Sequence, residues 1–309
     1  MIEYKTCGLT LRSEFPIREL EGCEAVSGCD PPSVIIEFGG KRIQQRSLTL
    51  KKSGILFHAG DSELLLEAPD HAWFHVRAGS LIRICLQKNV FSDYVRSILL
   101  SSALGGIVHQ RGMLPMRSNA LTYDRKRALL IAGQSGAGKS TLAAELMQQG
   151  WRSLADDLCS VSVSSADPPR VHPFGPFLRL WSDAINRLGI TSDRLTRSRP
   201  GLNKWILSLS DQQFHSGSLP VSAIVILTRT SNPPCLLERL TGAAAASAVA
   251  RHTYRYHFVE PMNLAPAHLA MTARFAAHVP VFRIHCGLPF PPSSQLIEAV
   301  HTVQASNLH

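Results

Sequence analysis

Gly133-Gln134-Ser135-Gly136-Ala137-Gly138-Lys139-Ser140 reads Gly-x-x-x-x-Gly-Lys-Ser, and its residue types are those a bound phosphate chain demands. Glycines let successive backbone N–H groups turn toward one anion with no Cβ in the way. Lys139 is expected to reach the outer phosphates and the Ser140 hydroxyl to sit on Mg²⁺. Thr141 follows in a helix whose N-terminal end adds positive potential. At average residue frequencies such a pattern arises in roughly one chain in a hundred, so its setting decides. Ala128-Leu129-Leu130-Ile131-Ala132 is an apolar run suited to a buried strand, and Thr141–Met147 is built of good helix formers. Strand, glycine loop and helix together predict a site for ATP or another nucleoside triphosphate with Mg²⁺.

A second group of chemistry-bearing residues comes just after that helix. Gly150 is a natural helix stop, Ser153-Leu154-Ala155 a short strand, and Asp156-Asp157 stand at its C-terminal end. In open α/β sheets ligands bind at that end of the strands. Nucleotide-bound Mg²⁺ needs a hard oxygen ligand, and transfer to a hydroxyl needs a group to accept its proton. Asp156 and Asp157 can divide those roles, and the sequence leaves open which takes which. Adjacent aspartates also serve as turn caps, a reading that weakens beside a phosphate loop. Arg194, Arg197, Arg199 and Lys204 surround Pro200-Gly201, either as a loop for phosphate or an acidic peptide or as a solvated basic loop. His172-Pro173 reads as a structural turn, and Trp181 and Trp205 as core or groove walls.

The elements that must hold these residues fall into distinct stretches. Residues 1–91 are expected to form a smaller β-rich domain: Val34–Phe38, Ile55–Phe57, Leu64–Leu66, Trp73–Val76 and Leu81–Cys85 are short apolar or alternating runs, suited to an antiparallel sheet. Residues 92–112 predict a linking helix, capped by Ser92, with Val95, Ile98, Leu99, Ala103 and Ile107 on one face and Gly112 closing it. His109 lies on that helix and reads as structural. From 113 to 309 strands at 206–209, 223–227 and 281–284 alternate with helices at 239–250, 264–278 and 293–304, which predicts an α/β domain around a central sheet. Pro220 and Pro233-Pro234 mark loops.

Composition bounds the function. Of 309 residues, 45% are hydrophobic and 18% charged, ordinary for a globular protein, and no apolar run is long enough for a membrane span. The seven cysteines are scattered with no Cys-x-x-Cys pair, which argues against a zinc site or disulfide framework and for a cytoplasmic setting. The net charge of +9 is spread along the chain without dense basic blocks, so a nucleic-acid partner is not expected. A homo-oligomer is compatible with the sequence.

Gly-x-Ser-Gly-x-Gly-Lys-Ser, one helix, then Leu154-Ala155-Asp156-Asp157 resembles the HPr kinase/phosphorylase catalytic domain, and more closely the HPr-kinase-like proteins that phosphorylate lasso-peptide precursors. The likeness extends over Cys7–Glu14, Ser102–Gly105, Gln110–Gly112, Leu178–Trp181 and Arg199–Leu202. It implies a P-loop fold related to phosphoenolpyruvate carboxykinase and an ATP/Mg²⁺-dependent kinase. The acceptor it implies is a peptide or protein serine, the C-terminal serine of a precursor in the closer group. One aspartate would be the base and the other a metal ligand. In that family a histidine usually stands in a Leu-Pro-Leu-His-Ala-(Asn/Ser)-Ala pattern, and Leu114-Pro115-Met116-Arg117-Ser118-Asn119-Ala120 places Arg117 there. Arginine cannot exchange protons near neutral pH but can hold a phosphate. Asn203 stands where the family often has an acidic residue. These two departures support an alternative, a nucleotide-binding but catalytically impaired regulatory protein. A small-molecule kinase is a third reading.

Overall fold

The computed structural model describes residues 1–25, 33–39, 50–52, 55–191, 193, 195–198, 201–230, 235–287 and 293–306. Eight strands near the N-terminus form one sheet: β1 (Ile2–Thr6), β2 (Leu9–Ser13), β3 (Val34–Phe38), β4 (Leu50–Lys52), β5 (Ile55–Gly60), β6 (Glu63–Ala68), β7 (Ala72–Arg77) and β8 (Leu81–Leu86), in the order β1-β2-β3-β8-β7-β6-β5-β4. Alternation of side chains across the pleat explains the pattern: Leu64, Leu66 and Ala68 of β6 are buried while Glu63, Leu65 and Glu67 between them are half-buried. The sheet is mixed rather than antiparallel throughout, because β3 runs parallel to both β2 and β8.

The linking helix forms in three joined pieces, α1 (Asp93–Ile98), a π-helical turn (Leu99–Ala103) and α2 (Leu104–Gln110). The Ser92 hydroxyl accepts from the Val95 N–H and caps it, and the five residues expected on the apolar face are all buried. α2 is buried at six of its seven residues. His109 is one of them, and its Nε2 donates to the Tyr254 carbonyl at 2.8 Å, which fixes the tautomer and ties α2 to a distant part of the chain.

A larger sheet of nine strands carries the glycine loop. Its centre is β11 (Ala128–Gly133), parallel to β18 (Leu219–Arg229), which is in turn parallel to β20 (Val281–Cys286). β10 (Ser118–Thr122) runs antiparallel to β11 and to β12 (Arg152–Ala155), and β19 (Leu236–Leu240) antiparallel to β20. The start of β18 adds β14 (Arg170–His172), then β13 (Cys159–Ser162) and β9 (Leu114–Met116). All six residues of β11 are buried, as its uninterrupted apolar run requires. α3 (Lys139–Gln148) packs on this sheet and against α7 (Ser293–Ser306). β15 (Phe177–Trp181), β16 (Leu195–Arg197) and β17 (Lys204–Ser208) make a separate small sheet with β17 central, and α4 (Ser182–Leu188) follows β15. α5 (Gly242–Arg251) and α6 (Ala265–His278) pack on each other.

Four expectations are corrected. The strand near 206–209 belongs to the small sheet, where β17 pairs with β15 and β16, and not to the central one. Pro220 lies inside β18, but at its second residue, before pairing with β11 begins at Val221, where a missing N–H is tolerated. Arg239 and Leu240 extend β19 by pairing with β20, so the helix expected from 239 starts at Gly242. His172 ends β14 rather than lying in a turn, with its ring 3.2 Å from the Ser162 hydroxyl. Pro233-Pro234, Arg194, Arg199 and Cys29 lie outside the described residues.

Burial pushes the His109 imidazole down from 6.5 to about 4. Above pH 6.5 it is neutral folded or unfolded. Between 6.5 and about 4 the unfolded chain takes up the proton and the folded chain does not, so stability falls as pH falls through that window and the loss saturates below it. His109 alone then costs about 3 kcal/mol by its lower end. Urea midpoints measured from pH 7 to pH 4 are expected to fall less steeply for His109→Gln than for the native chain, by about one proton's worth of slope; equal slopes would remove this assignment.

Candidate active site

The strand–loop–helix unit begins at Gly133, whose φ of +151° ends β11, and a Cβ there would lie 2.8 Å from the Leu227 carbonyl oxygen of the neighbouring strand. Only glycine lets the chain turn off the sheet at that point while β18 stays paired beside it. Gly138, at φ +88°, precedes the first residue of α3, which is Lys139. Lys139 is 8% exposed and its Nζ donates to the Gln134 carbonyl at 3.1 Å, so the lysine folds across the loop it belongs to. Burial lowers its proton affinity, and Asp157 and Asp156 work against that lowering.

Two aspartates adjacent in sequence occupy opposite environments. Asp156 ends up 1% exposed. Its Oδ1 accepts from Asn119 Nδ2 on β10 at 2.6 Å and from the Ser140 hydroxyl of α3 at 3.1 Å; its Oδ2 accepts from the Arg179 backbone N–H of β15 at 2.7 Å. Burial pushes its pKa up, against the pull of Lys204 and Arg179. Asp157 has φ +69°, and the Leu158 N–H donates back to the Asp156 carbonyl at 2.9 Å, closing a tight positive-φ turn centred on Asp157. That turn separates the two carboxylates. Aspartate tolerates the conformation better than most residues, and such strain concentrates at functional sites.

Asp157 opens into a cavity of about 270 Å³ with Lys139, Ser140, Thr141, Arg117 and Trp181 in its wall. Arg117 Nε stands 3.9 Å from its Oδ1, and the Asp157 side chain keeps 27% of its surface exposed. Burial pushes the Asp157 carboxyl up, but Lys204, Arg179, Arg117 and Lys139 together outweigh it and hold the pKa below the ordinary aspartate value. Asp156 is thus an enclosed hydrogen-bond acceptor beside Ser140, and Asp157 an ionised carboxylate facing a cleft.

The residues expected to cradle phosphate divide between two cavities. Ser135, Gly136, Gly138, Lys139, Ser140 and Thr141 line the one that holds Asp157. Gly133, Gln134, Ser135 and Ala137 line a second, of about 630 Å³, with Arg117 and Arg229 common to both. Arg229, at the end of β18, donates to the Gly136 carbonyl and fixes the loop from the sheet side. Trp181 is 40% exposed in the first cavity's wall, with Lys204 Nζ 5.9 Å from its ring centroid. Of the basic segment, Lys204 reaches this site, and Arg197 lies over the Trp205 ring at 5.2 Å.

Asn119, Arg179 and Arg229 enter the site without having been singled out as site residues. Arg179 acts on Asp156 twice, through its backbone N–H and through the charge of its guanidinium. Arg229 had a readable signal: a basic residue two positions after the apolar run 223–227, where a parallel strand ends.

The donor set suits Mg²⁺ with a nucleotide. Ser140 Oγ and the aspartates are hard oxygens, and the buried Asn119 Oδ1 has no hydrogen-bond partner among the described residues. Among the described residues no cluster of three His, Cys, Asp or Glu side chains could hold a metal alone.

The field at Asp157 is directly testable. Replacing Lys204 with Met is expected to raise the Asp157 pKa toward the ordinary aspartate range, and by more than Arg117→Met does, since Lys204 is the strongest cation acting on it. Carboxyl ¹³C NMR titration measures both; no movement in either variant contradicts this electrostatic account.

No family model and no curated protein sequence matches this chain. Among solved structures, the HPr(Ser) kinase/phosphatase from Coxiella burnetii is similar over 62% of this chain and 98% of its own, at 11% identity and a TM-score of 0.32.

Proposed function

We propose that this protein is an ATP/Mg²⁺-dependent kinase that transfers a phosphoryl group to a serine hydroxyl of a peptide or protein, with the C-terminal serine of a lasso-peptide precursor as the acceptor. The observation that carries the reading is the division of labour between Asp156, enclosed against Ser140, and Asp157, ionised in the cleft beside Lys139. Phosphoryl transfer passes through a loose transition state, so catalysis is chiefly positioning and charge stabilisation. The loop N–H groups and Lys139 would hold the phosphates of the substrate nucleotide. Ser140 and Asp156 would hold Mg²⁺, which neutralises phosphate charge when bound. Asp157 would orient the acceptor hydroxyl and take its proton as the new O–P bond forms and the bond to the leaving diphosphate breaks. A weakly basic carboxylate suffices, because in a loose transition state the proton leaves late. Arg117 would place a fixed positive charge against the transferring group in place of a titratable histidine.

A second reading, nucleotide binding without transfer, is favoured by one feature: the cations around Asp157 that lower its proton affinity also make it a poorer base. It predicts saturable ATP binding with no labelled product.

Lys139→Ala is expected to lower phosphoryl transfer, followed by intact-peptide mass, by roughly a hundredfold or more. The two aspartates should separate. Asp157→Asn is expected to lower kcat by about 10²-fold or more with nucleotide affinity unchanged, whereas Asp156→Asn should raise the Mg²⁺ concentration needed for half-maximal rate. Exchange of these two phenotypes would reverse the assignment, full activity in Lys139→Ala would remove Lys139 from the mechanism, and no transfer by the native chain would end the kinase reading.

A further inference from the structure

The 630 Å³ cavity on the sheet side of the loop has a composition that the loop chemistry does not explain. Its wall includes Arg117, Arg229, Arg251, Arg283, His252 and His285, and no carboxylate among the described residues. Arg229 comes from the end of β18, Arg251 from the end of α5, Arg283 from the middle of β20 and Arg117 from between β9 and β10, so the fold brings together arginines far apart in sequence. One acidic group approaches from behind: Glu238 Oε2 accepts from Arg283 Nη1 at 3.1 Å and lies 3.0 Å from His285 Nε2. Arg251 Nη2 donates to the uncharged Ser247 hydroxyl at 3.1 Å, and Arg229 to the Gly136 carbonyl. The positive field is felt locally. His252 is held below its usual pKa by burial first, and then by Lys139, Arg251 and Arg117 despite its hydrogen bond to the Ala248 carbonyl.

A neutral nucleoside has no use for such a surplus of guanidinium groups, whereas an oxyanion matches their planar donor forks. The cavity meets the smaller one at Arg117, Ser135 and Arg229, so a ligand anchored here projects toward Asp157, past Arg117. Lys139, Ser140 and Asp157 line the smaller cavity, where the reacting groups must sit.

We propose that the larger cavity is the acceptor's anchoring site and that it binds a carboxylate of the acceptor through Arg251 and Arg283, holding the hydroxyl to be phosphorylated at the Arg117–Asp157 boundary. This deepens the kinase reading and rests on it for the word acceptor; the carboxylate site itself does not. A carboxylate can come from a peptide C-terminus or from an acidic side chain, and three small probes distinguish them: N-acetyl-serine, N-acetyl-serinamide and N-acetyl-Asp-serinamide.

Probe binding is read by saturation-transfer NMR on the full chain, and nucleotide binding by fluorescence of a methylanthraniloyl-ATP. N-acetyl-serine is expected to bind and N-acetyl-serinamide to bind at least tenfold more weakly. Tighter binding of the Asp-containing probe than of N-acetyl-serine would assign the site to side-chain carboxylates, and weaker binding to a C-terminus. Arg251→Ala/Arg283→Ala should lose carboxylate-probe binding with nucleotide affinity within twofold of native, and Arg251→Lys should retain part of it. Equal binding of serine and serinamide probes, retention by the double variant, or a tenfold loss of nucleotide affinity in it would each overturn the proposal, the last by assigning the cavity to the nucleoside. A chain that binds N-acetyl-serine through these arginines but transfers no phosphoryl group would refute the kinase reading and leave the anion site standing.

Discussion

The buried Asp156 carboxylate is the interaction on which the site depends. Its oxygens receive a side-chain amide from β10, a hydroxyl from the first turn of α3 and a backbone N–H from β15, so one charged group joins the central sheet, the loop helix and the small sheet. Each bond is charge-assisted, and a buried carboxylate without them would be costly. Burial nevertheless raises its pKa, which marks a group held in an environment it does not favour in the absence of a cation. The same enclosure that raises its pKa keeps its Oδ1 against the Ser140 hydroxyl.

The tight turn at Asp157 follows from that anchoring. With Asp156 pinned, the chain doubles back through a positive φ and delivers the next carboxylate into a cleft among cations. Two identical side chains thereby acquire opposite proton affinities, a separation of environments that suits distinct roles in one reaction. The glycine at 133 serves the same end from the other side, letting the loop leave β11 against a neighbouring carbonyl without strain.

Much of this was legible in the sequence because it is local. The run 128–132, the glycine spacing and the formers of α3 each state their own structure, and the helix begun by Ser92 needed only its periodicity. The difference between Asp156 and Asp157 was not legible, since it is made by Asn119 and by a backbone donor of β15, both brought in by pairings across the chain. The misplaced elements have the same origin. Arg239 and Leu240 look helical beside an alanine-rich run but are claimed by the edge of β20, and the β17 stretch suits any sheet, so its own sequence does not say which. The second cavity was invisible for a further reason: arginines scattered from 117 to 283 show no block of charge until β18, β20, α5 and the stretch between β9 and β10 converge. The net positive charge that composition reports as diffuse is, in part, focused there.

The central claim is that Asp156 and Ser140 face the metal while Asp157 faces the acceptor. A crystal structure with Mg²⁺, ADP and aluminium fluoride tests it most directly. The expected result is the ion bound on the Ser140 side with Asp156 nearest to it, the loop N–H groups and Lys139 on the phosphates, and Asp157 directed at the open face of the planar fluoride. An ion held by Asp157 alone, with Asp156 still sealed against Asn119 and Arg179, would contradict it.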